Sequence, residues 1–366
     1  MPPYDKLDRS AQLAPKKPAK NGGQGVLQGA ISGFGAMAAR AHLPGWQSRN
    51  GVSIVAVHDP VRERRENAID LIRNVRVYDD LAQMLRNETL DFVDIVSPPD
   101  GHASAARLAL RAGVNVIVEK PLCLTAAEFQ ELINLGRRYR RLILCVHNWK
   151  YSPVYRRVHE LIGAGVVGRV QYLSLVRMRS EPAATSSSGA GWRLSSAAGG
   201  GILIDHGWHC FYLAHWLLNG DRPMAVSSYF QFHRQSGVDD LADLRISFRD
   251  NRLVNVLLTW NAPVRRTGAL VVGSTGVVEV EDNKIRVGRA SGRSVEYSVS
   301  EASDDSYHPG WFASAAADFE RVLKEGPDAE FARVNLAEAA TALALTIAAR
   351  KSAARDGALI TVDPVE

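Results

Sequence analysis

Residues 26–38 read Val26-Leu27-Gln28-Gly29-Ala30-Ile31-Ser32-Gly33-Phe34-Gly35-Ala36-Met37-Ala38. A short apolar run, Val26 to Ile31, passes straight into a glycine-bounded turn that opens a helix after Gly35. Each residue of the GxGxxA turn has a physical task. Gly33 permits the tight turn, Gly35 lets a pyrophosphate approach the backbone, and Ala38 is small enough for close helix and strand packing. The helix start offers backbone N–H groups and a positive dipole end to phosphates. A second strand ends at Asp59, 21 residues after Ala38. That is the distance at which an acid accepts hydrogen bonds from an adenosine ribose. Strand, turn, helix and acid together predict a dinucleotide site formed by Gly33, Phe34, Gly35, Ala36, Met37 and Asp59. The charge of Asp59 would repel a 2′-phosphate, which favours NAD over NADP. Arg62, Arg64 and Arg65 follow closely and read as a solvated helix face.

Outward from this turn the pattern repeats. Apolar runs at Ser53 to Val57, Val75 to Val77, Phe92 to Val96, Val114 to Val118 and Leu142 to Val146 alternate with helical segments from Val61, Asp79, His102 and Thr125. Such alternation predicts parallel βαβ units in a doubly covered sheet. After Pro153 the grammar changes. A helix from Val154 to Ile162, a strand from Arg169 to Met178 and a Ser, Ala and Gly rich loop from Pro182 to Gly191 lead to an apolar helix near Gly201. Residues 225 to 299 alternate like strands, with turn signals at Asp250-Asn251, Gly273 to Gly276, Asp282-Asn283 and Ser291-Gly292, which predicts antiparallel neighbours. Helices at Trp311 to Leu323 and Val334 to Ala354 close the chain. The expected organisation is a tail at 1–24, a Rossmann domain at 25–147 and a second α/β domain at 148–366.

Composition narrows the function. With 366 residues, 46% hydrophobic and 23% charged, the chain is long enough for two domains and too apolar to be disordered. No uncharged apolar run approaches the roughly 18 residues of a membrane span, so no membrane partner is expected. Cys123, Cys145 and Cys210 lie in apolar runs and read as buried thiols of a reducing compartment. No secretion signal is legible in the polar, Pro- and Lys-containing first 24 residues, and a cytoplasmic location is expected. That tail holds +3 of the formal net charge of +5, leaving +2 for the rest. A nucleic-acid partner needs clustered charge and is not expected.

Two further features carry chemistry. Residues 21–283 contain 27 arginines and only two lysines, Lys120 and Lys150. Lys120 ends a buried strand, where open α/β sheets place ligands. Unlike Arg, a lysine can take part in proton chemistry. Farther on, Gly199-Gly200-Gly201 precedes Ile202-Leu203-Ile204-Asp205-His206-Gly207-Trp208-His209. Asp205 and His209 are four apart, so a helix brings them to one face, as a histidine general acid or base with a carboxylate partner requires. Asp205, His206, His209 and Cys210 are weak metal ligands, because adjacent helical positions diverge, and no metal is expected. Arg193, Lys150 and His206 are candidates to recognise a hydroxyl-rich, carboxylated or phosphorylated ligand.

Taken together the chain resembles the Gfo/Idh/MocA family of nicotinamide-dependent oxidoreductases over about residues 25–363. The likeness is carried by Glu119-Lys120-Pro121, by Trp192-Arg193 and by the glycine, Asp205 and His209 arrangement. Ser97, Pro98, Pro99 and His102 after the fourth strand, and His147-Asn148 with Pro153, support it. The resemblance implies a Rossmann domain followed by a domain with an open, mainly antiparallel sheet, a homodimer or homotetramer, and hydride exchange with a secondary alcohol or ketone of a sugar, cyclitol or derivative. It assigns Ser97, Pro98, Pro99, His102 and Glu119 to the cofactor. Lys120 would touch the nicotinamide ribose side and the reacting hydroxyl, His209 would accept or donate the proton, and Asp205 would partner it. Asn148, Lys150, Trp192, Arg193 and His206 would face the substrate. Departures from the family pattern are Ala38 for the third glycine, His206 and Trp208 at positions usually aliphatic or small, and Tyr212 where many members carry Asp. Two other functions share the cofactor site: glycoside cleavage with a tightly held NAD, and a non-catalytic dinucleotide sensor.

Overall fold

A computed structural model describes residues 25–183, 191–233, 237–289, 292, 294–299 and 307–365. The tail and most of the loop from Pro182 to Gly191, together with Ser291, lie outside the described residues. In chain order the first elements are β1 (Leu27–Ser32), a π-helical turn (Ala38–His42) continued by α1 (Leu43–Gln47), β2 (Val52–His58), α2 (Arg62–Leu71), β3 (Arg76–Tyr78) and α3 (Leu81–Asn87). They continue as β4 (Phe92–Ile95), α4 (Pro99–Arg111), β5 (Asn115–Val118), α5 (Ala126–Tyr139) and β6 (Ile143–Cys145). Next come α6 (Pro153–Gly163), β7 (Val170–Met178), a second π-helical turn (Leu203–Gly207), α7 (Trp208–Leu217), β8 (Pro223–Gln231), β9 (Leu241–Phe248) and β10 (Leu253–Thr259). The chain finishes with β11 (Arg266–Gly273), β12 (Gly276–Glu281), β13 (Lys284–Arg289), β14 (Ser294–Ser298), α8 (Pro309–Glu325), α9 (Glu330–Ala353) and β15 (Ile360–Thr361).

The first sheet is parallel throughout, with order β3-β2-β1-β4-β5-β6. Its central strands are buried on both faces, which is why they read as unbroken apolar runs. Gly29 lets β1 and β4 pack, since a side chain there would fall 2.3 Å from the Phe92 ring. Helix starts carry local signals: Asp80 accepts the Gln83 N–H, and Thr125 and Glu128 form a reciprocal capping box.

The second sheet has order β14-β13-β12-β11-β7-β10-β9-β8-β15. All its pairs are antiparallel except β7 with β10. Asp250 and Asn251 (φ 57° and 56°) turn β9 into β10, and Asp282 (φ 49°) turns β12 into β13. These are the expected hairpin positions, occupied by residues that tolerate the left-handed region.

Two compact units result, residues 25–146 with 307–337, and residues 147–306 with 338–366. The sequence assigns everything after 147 to the second domain, whereas α8 and the first part of α9 fold with the parallel sheet. The reason is tertiary. Phe312 stacks on His42 at 3.8 Å between ring centroids, Glu320 accepts from Arg49 at 2.8 Å, and the Asn335 amide bridges both backbone groups of Cys145 at 2.7 and 2.9 Å. Among the described residues one helix, α9, is long and apolar enough to cross a membrane, although Arg333 and Glu338 interrupt it and its uncharged run is confined to residues 339–349. It carries buried Asn335, Glu338 and Thr346, each hydrogen bonded within the fold, as suits a packed helix. Cys123, Cys145 and Cys210 are buried thiols.

Candidate functional site

In the first unit the two turn glycines have opposite surroundings. Gly33 has φ +91°, and a side chain there would lie 2.6 Å from the Ser97 backbone nitrogen. A side chain on Gly35 would meet nothing within 4 Å. Gly33 therefore closes the turn, and Gly35 keeps an open approach to the backbone where a pyrophosphate belongs. Phe34 and Ala38 are buried beneath it. Asp59 stands at the end of β2 with 1% exposure. Its Oδ2 accepts the Phe34 N–H at 2.7 Å, its Oδ1 the Val61 N–H at 2.8 Å, and Arg64 Nη1 lies 3.5 Å from Oδ2. The acid found by spacing thus braces the glycine turn itself.

Ser97 and Pro98 lead into α4, with Pro99 in its first turn, where the missing N–H costs nothing. His102 is buried, with Nδ1 2.6 Å from the Pro121 carbonyl and Nε2 2.7 Å from that of Ser97. It ties the end of β4 to the Lys120–Pro121 turn, whose peptide bond is cis. Its ring nitrogens face backbone oxygens of the protein.

Behind Lys120 lies a group the sequence reading missed. His42 Nδ1 is 2.8 Å from Asp94 Oδ2 and Nε2 is 3.2 Å from Glu119 Oε1, while Trp46 donates to Asp94 at 2.7 Å. The other Glu119 oxygen accepts the Lys120 N–H at 2.8 Å. Burial opposes charge on His42, yet the two carboxylates outweigh it and raise its pKa to about 9. Burial likewise pushes Glu119 up, but the His42 contact holds it below the usual carboxylate range. Lys120 follows this charged cluster and is half-buried. A helical histidine in an apolar setting carries no local signal for such a role.

In the second unit Gly200 packs on backbone and Gly201 on a carboxylate. A side chain on Gly200 would lie 2.5 Å from the Arg193 carbonyl oxygen, and one on Gly201 (φ +106°) 2.2 Å from Asp239 Oδ1. Trp192 and Arg193 are thereby seated on the glycine loop, with the guanidinium 4.7 Å over the indole. Asp205 lies in the second π-helical turn, a feature frequent at functional sites. Its Oδ2 accepts Arg193 Nε at 2.9 Å, with His206 Nε2 at 3.6 Å. His209 Nδ1 lies 2.7 Å from the Tyr212 hydroxyl, which also accepts the Trp149 N–H at 3.1 Å. Asp205 thus pairs with Arg193, and Nδ1 of His209 lies on Tyr212.

The Tyr212 ring stacks on His147 at 4.3 Å, and buried Glu338 accepts from His147 at 3.0 Å and from Lys150 at 2.5 Å. Lys150 is thus neutralised inside the unit. Asn148 Oδ1 and Arg193 Nη1 are buried with no hydrogen-bond partner among the described residues. Polar atoms in that state are costly unless a water, an ion or a ligand meets them. No group of three or more metal-ligating side chains occurs among the described residues.

Family comparisons cover both units. Residues 27–147 match the oxidoreductase family model with an NAD-binding Rossmann fold, and residues 155–279 match the Gfo/Idh/MocA C-terminal domain. The chain belongs to the Gfo/Idh/MocA family. D-apiose dehydrogenase of Paraburkholderia graminis is 34% identical over 39% of this chain and 38% of its own length. Trans-1,2-dihydrobenzene-1,2-diol dehydrogenase of Xenopus tropicalis is 23% identical over 62% of this chain and 66% of its own length. The matched region therefore spans less than two thirds of each of these curated Gfo/Idh/MocA relatives. Among solved structures, levoglucosan dehydrogenase in complex with NADH superimposes with a TM-score of 0.80 at 20% identity, covering 92% of this chain and 99% of the other. The likeness extends the shared fold across both units.

Proposed function

We propose that this Gfo/Idh/MocA protein is an NAD-dependent oxidoreductase that interconverts a secondary alcohol and a ketone on a sugar, cyclitol or derivative. The observation that carries the proposal is the pair of turn glycines, Gly33 closed and Gly35 open, at the start of a family-matched Rossmann unit. A β-carbon would fill the approach at Gly35, so the residues present suit a dinucleotide.

When bound, NAD supplies the hydride acceptor. The chain provides binding, orientation and proton handling. The helix start after Gly35 faces the pyrophosphate with N–H groups and a positive dipole end. Asp59 gives negative charge at the ribose end and favours NAD over NADP, with Arg64 close enough to reduce that preference. Lys120 stabilises negative charge developing on the substrate oxygen, a contribution that is often the largest in such catalysis. His209 accepts the hydroxyl proton at Nε2 and returns it in reduction. Arg193, set by Asp205 and Trp192, and Asn148 hold substrate oxygens with the polar atoms the fold leaves unmatched. Sugar and cyclic-diol chemistry is supported by the relatives named apiose and dihydrobenzenediol dehydrogenase. A cytoplasmic homo-oligomer is part of the same proposal.

The test is a panel of sugars, cyclitols and their keto forms, followed by nicotinamide absorbance with NAD and NADP. Net formation of NADH from a polyol is expected. Product formation from a glycoside without net NADH, or dinucleotide binding with no turnover on any substrate, would overturn the proposal.

A further inference from the structure

We infer that His42 is a positioning residue: bridging Asp94 and Glu119 in its imidazolium form, it fixes Lys120 relative to the segment that follows the glycine turn. The inference rests on the oxidoreductase reading, in which Lys120 meets the reacting oxygen. His42 is the last residue of the π-helical turn Ala38–His42, which continues the GxGxxA turn. Short π-helical segments are frequent at functional sites. Asp94 lies in β4, and Glu119 follows β5 immediately before Lys120. One ring thus joins the phosphate-binding segment to the ends of two strands.

The contacts dictate the charge of the ring. Nδ1 lies 2.8 Å from Asp94 Oδ2 and Nε2 lies 3.2 Å from Glu119 Oε1. Ionised carboxylates only accept, and a neutral imidazole has a single N–H, so only the imidazolium donates to both. Asp94 and Glu119 are buried, and solvent does not replace the ring as their partner. Asp94 Oδ2 also accepts the Trp46 indole N–H at 2.7 Å, while the Phe312 ring stacks on the imidazole at 3.8 Å and limits its rotation. With Oε1 held by His42, the Glu119 carboxylate offers Oε2 to the Lys120 N–H at 2.8 Å. The main chain that carries the amine is therefore set from behind by a buried group of three charges. Removing the imidazolium leaves two buried carboxylates without their shared cation, and the Glu119 arm loses its anchor. A displacement of about 1 Å between reacting groups costs up to about a hundredfold in rate. Binding is spared, because the pyrophosphate turn is closed by Gly33 and braced by Asp59 independently of this cluster.

Long-range nitrogen-15 NMR of the full chain near neutral pH should show both ring nitrogens of His42 protonated, and a neutral ring overturns the inference. His42→Gln, whose amide donates to one carboxylate only, should lower kcat about tenfold or more, with KM for the polyol and Kd for NAD changed less than about twofold. Trp46→Phe is the structural control, since it removes a donor from Asp94 and leaves the Glu119 arm in place. Its kcat should stay within about twofold of wild type. In a Glu119→Gln background, His42→Gln should add less than about twofold, because the two side chains act as a unit. An unchanged kcat in His42→Gln, an equal fall in Trp46→Phe, or fully additive losses in the double variant overturns the inference. If His42→Gln fails to fold, Glu119→Gln takes its place, and a kcat within about twofold of wild type has the same force. Acetylation of Lys120, read against exposed Lys351 by peptide mass spectrometry, needs no turnover. It should be about threefold faster or more in Glu119→Gln, and an unchanged ratio overturns the positioning. A wild type inactive on every substrate counts against the oxidoreductase reading, while the spectra and the acetylation rates still decide the role of His42.

Discussion

His42 Nδ1 lies 2.8 Å from Asp94 Oδ2 in a site closed to solvent, with Glu119 on the opposite side of the imidazole. Since its pKa rises from 6.5 to about 9 in the folded state, folding stability is linked to its proton. The contribution is fully present below pH 6.5 and is lost as pH rises through 9. The shift corresponds to about 3 kcal/mol at most. Urea unfolding followed between these limits should show a steady loss of stability on the alkaline side. His42→Gln should flatten that dependence and lower stability near neutrality, because two buried carboxylates then lack a countercharge. A wild-type stability that does not change over this range would show that His42 is not charged.

Gly33 and Gly35 differ in what they protect. Gly33→Ala would place a side chain at positive φ and within 2.6 Å of backbone, costing about 1–3 kcal/mol or more of stability. Gly35→Val should leave the melting temperature nearly unchanged, since nothing lies within 4 Å of the new β-carbon. Its effect should fall on NAD, with Kd raised about tenfold or more, close to 1.4 kcal/mol. Calorimetric titration and thermal melting of both variants separate the two roles. Equal NAD affinity in Gly35→Val and wild type would remove the pyrophosphate from this turn.

Local sequence carried the strands and the turn because their causes are local. Burial on both faces makes β1, β4 and β5 apolar runs, and Gly33 is required by its own φ. What stayed hidden depends on long-range contacts. Nothing in the periodicity of α8 says that Phe312 will stack on His42, so local sequence does not place this helix with the parallel sheet. Asp59 was visible from its spacing, while its bonds to the Phe34 and Val61 N–H groups were not. Asp205 and His209 were found four apart, but a π-helical turn and the partners Arg193 and Tyr212 were not predictable from that spacing. Glu338, nearly two hundred residues from His147, had no signature beyond a charge in an apolar helix.

Glu338 should govern the acid side of stability. Burial pushes its pKa up, but His147 and Lys150 outweigh this and hold it below the ordinary glutamate value of 4.5. A depressed carboxyl stabilises the fold above that value, and the contribution is lost as pH falls below it. Glu338→Gln should move the acid-unfolding midpoint to higher pH and remove part of the steepness. Glu338→Ala should cost about 3–5 kcal/mol near neutrality, because His147 and Lys150 lose their shared partner. An acid-unfolding curve unchanged in Glu338→Gln would assign the acid limb to other carboxylates.

Arg193 combines two contacts and one unmatched buried donor, a set that only a guanidinium can supply at once. Its Nε donates to Asp205 at 2.9 Å, its plane lies over Trp192, and its Nη1 is buried without a partner among the described residues. Under the proposed function, Nη1 is the atom that meets a substrate oxygen. A lysine keeps the charge but has no second rigid donor, so Arg193→Lys should retain the Asp205 pair and lose the substrate contact. The expected result is a KM for the polyol raised about tenfold, a smaller change in kcat, and an unaltered Kd for NAD. Arg193→Ala should lower kcat as well, since Asp205, 4% exposed, then loses its principal cation. Steady-state kinetics of both variants with one good substrate decide the matter. Equal KM values in wild type and Arg193→Lys would mean that Arg193 serves only to hold Asp205.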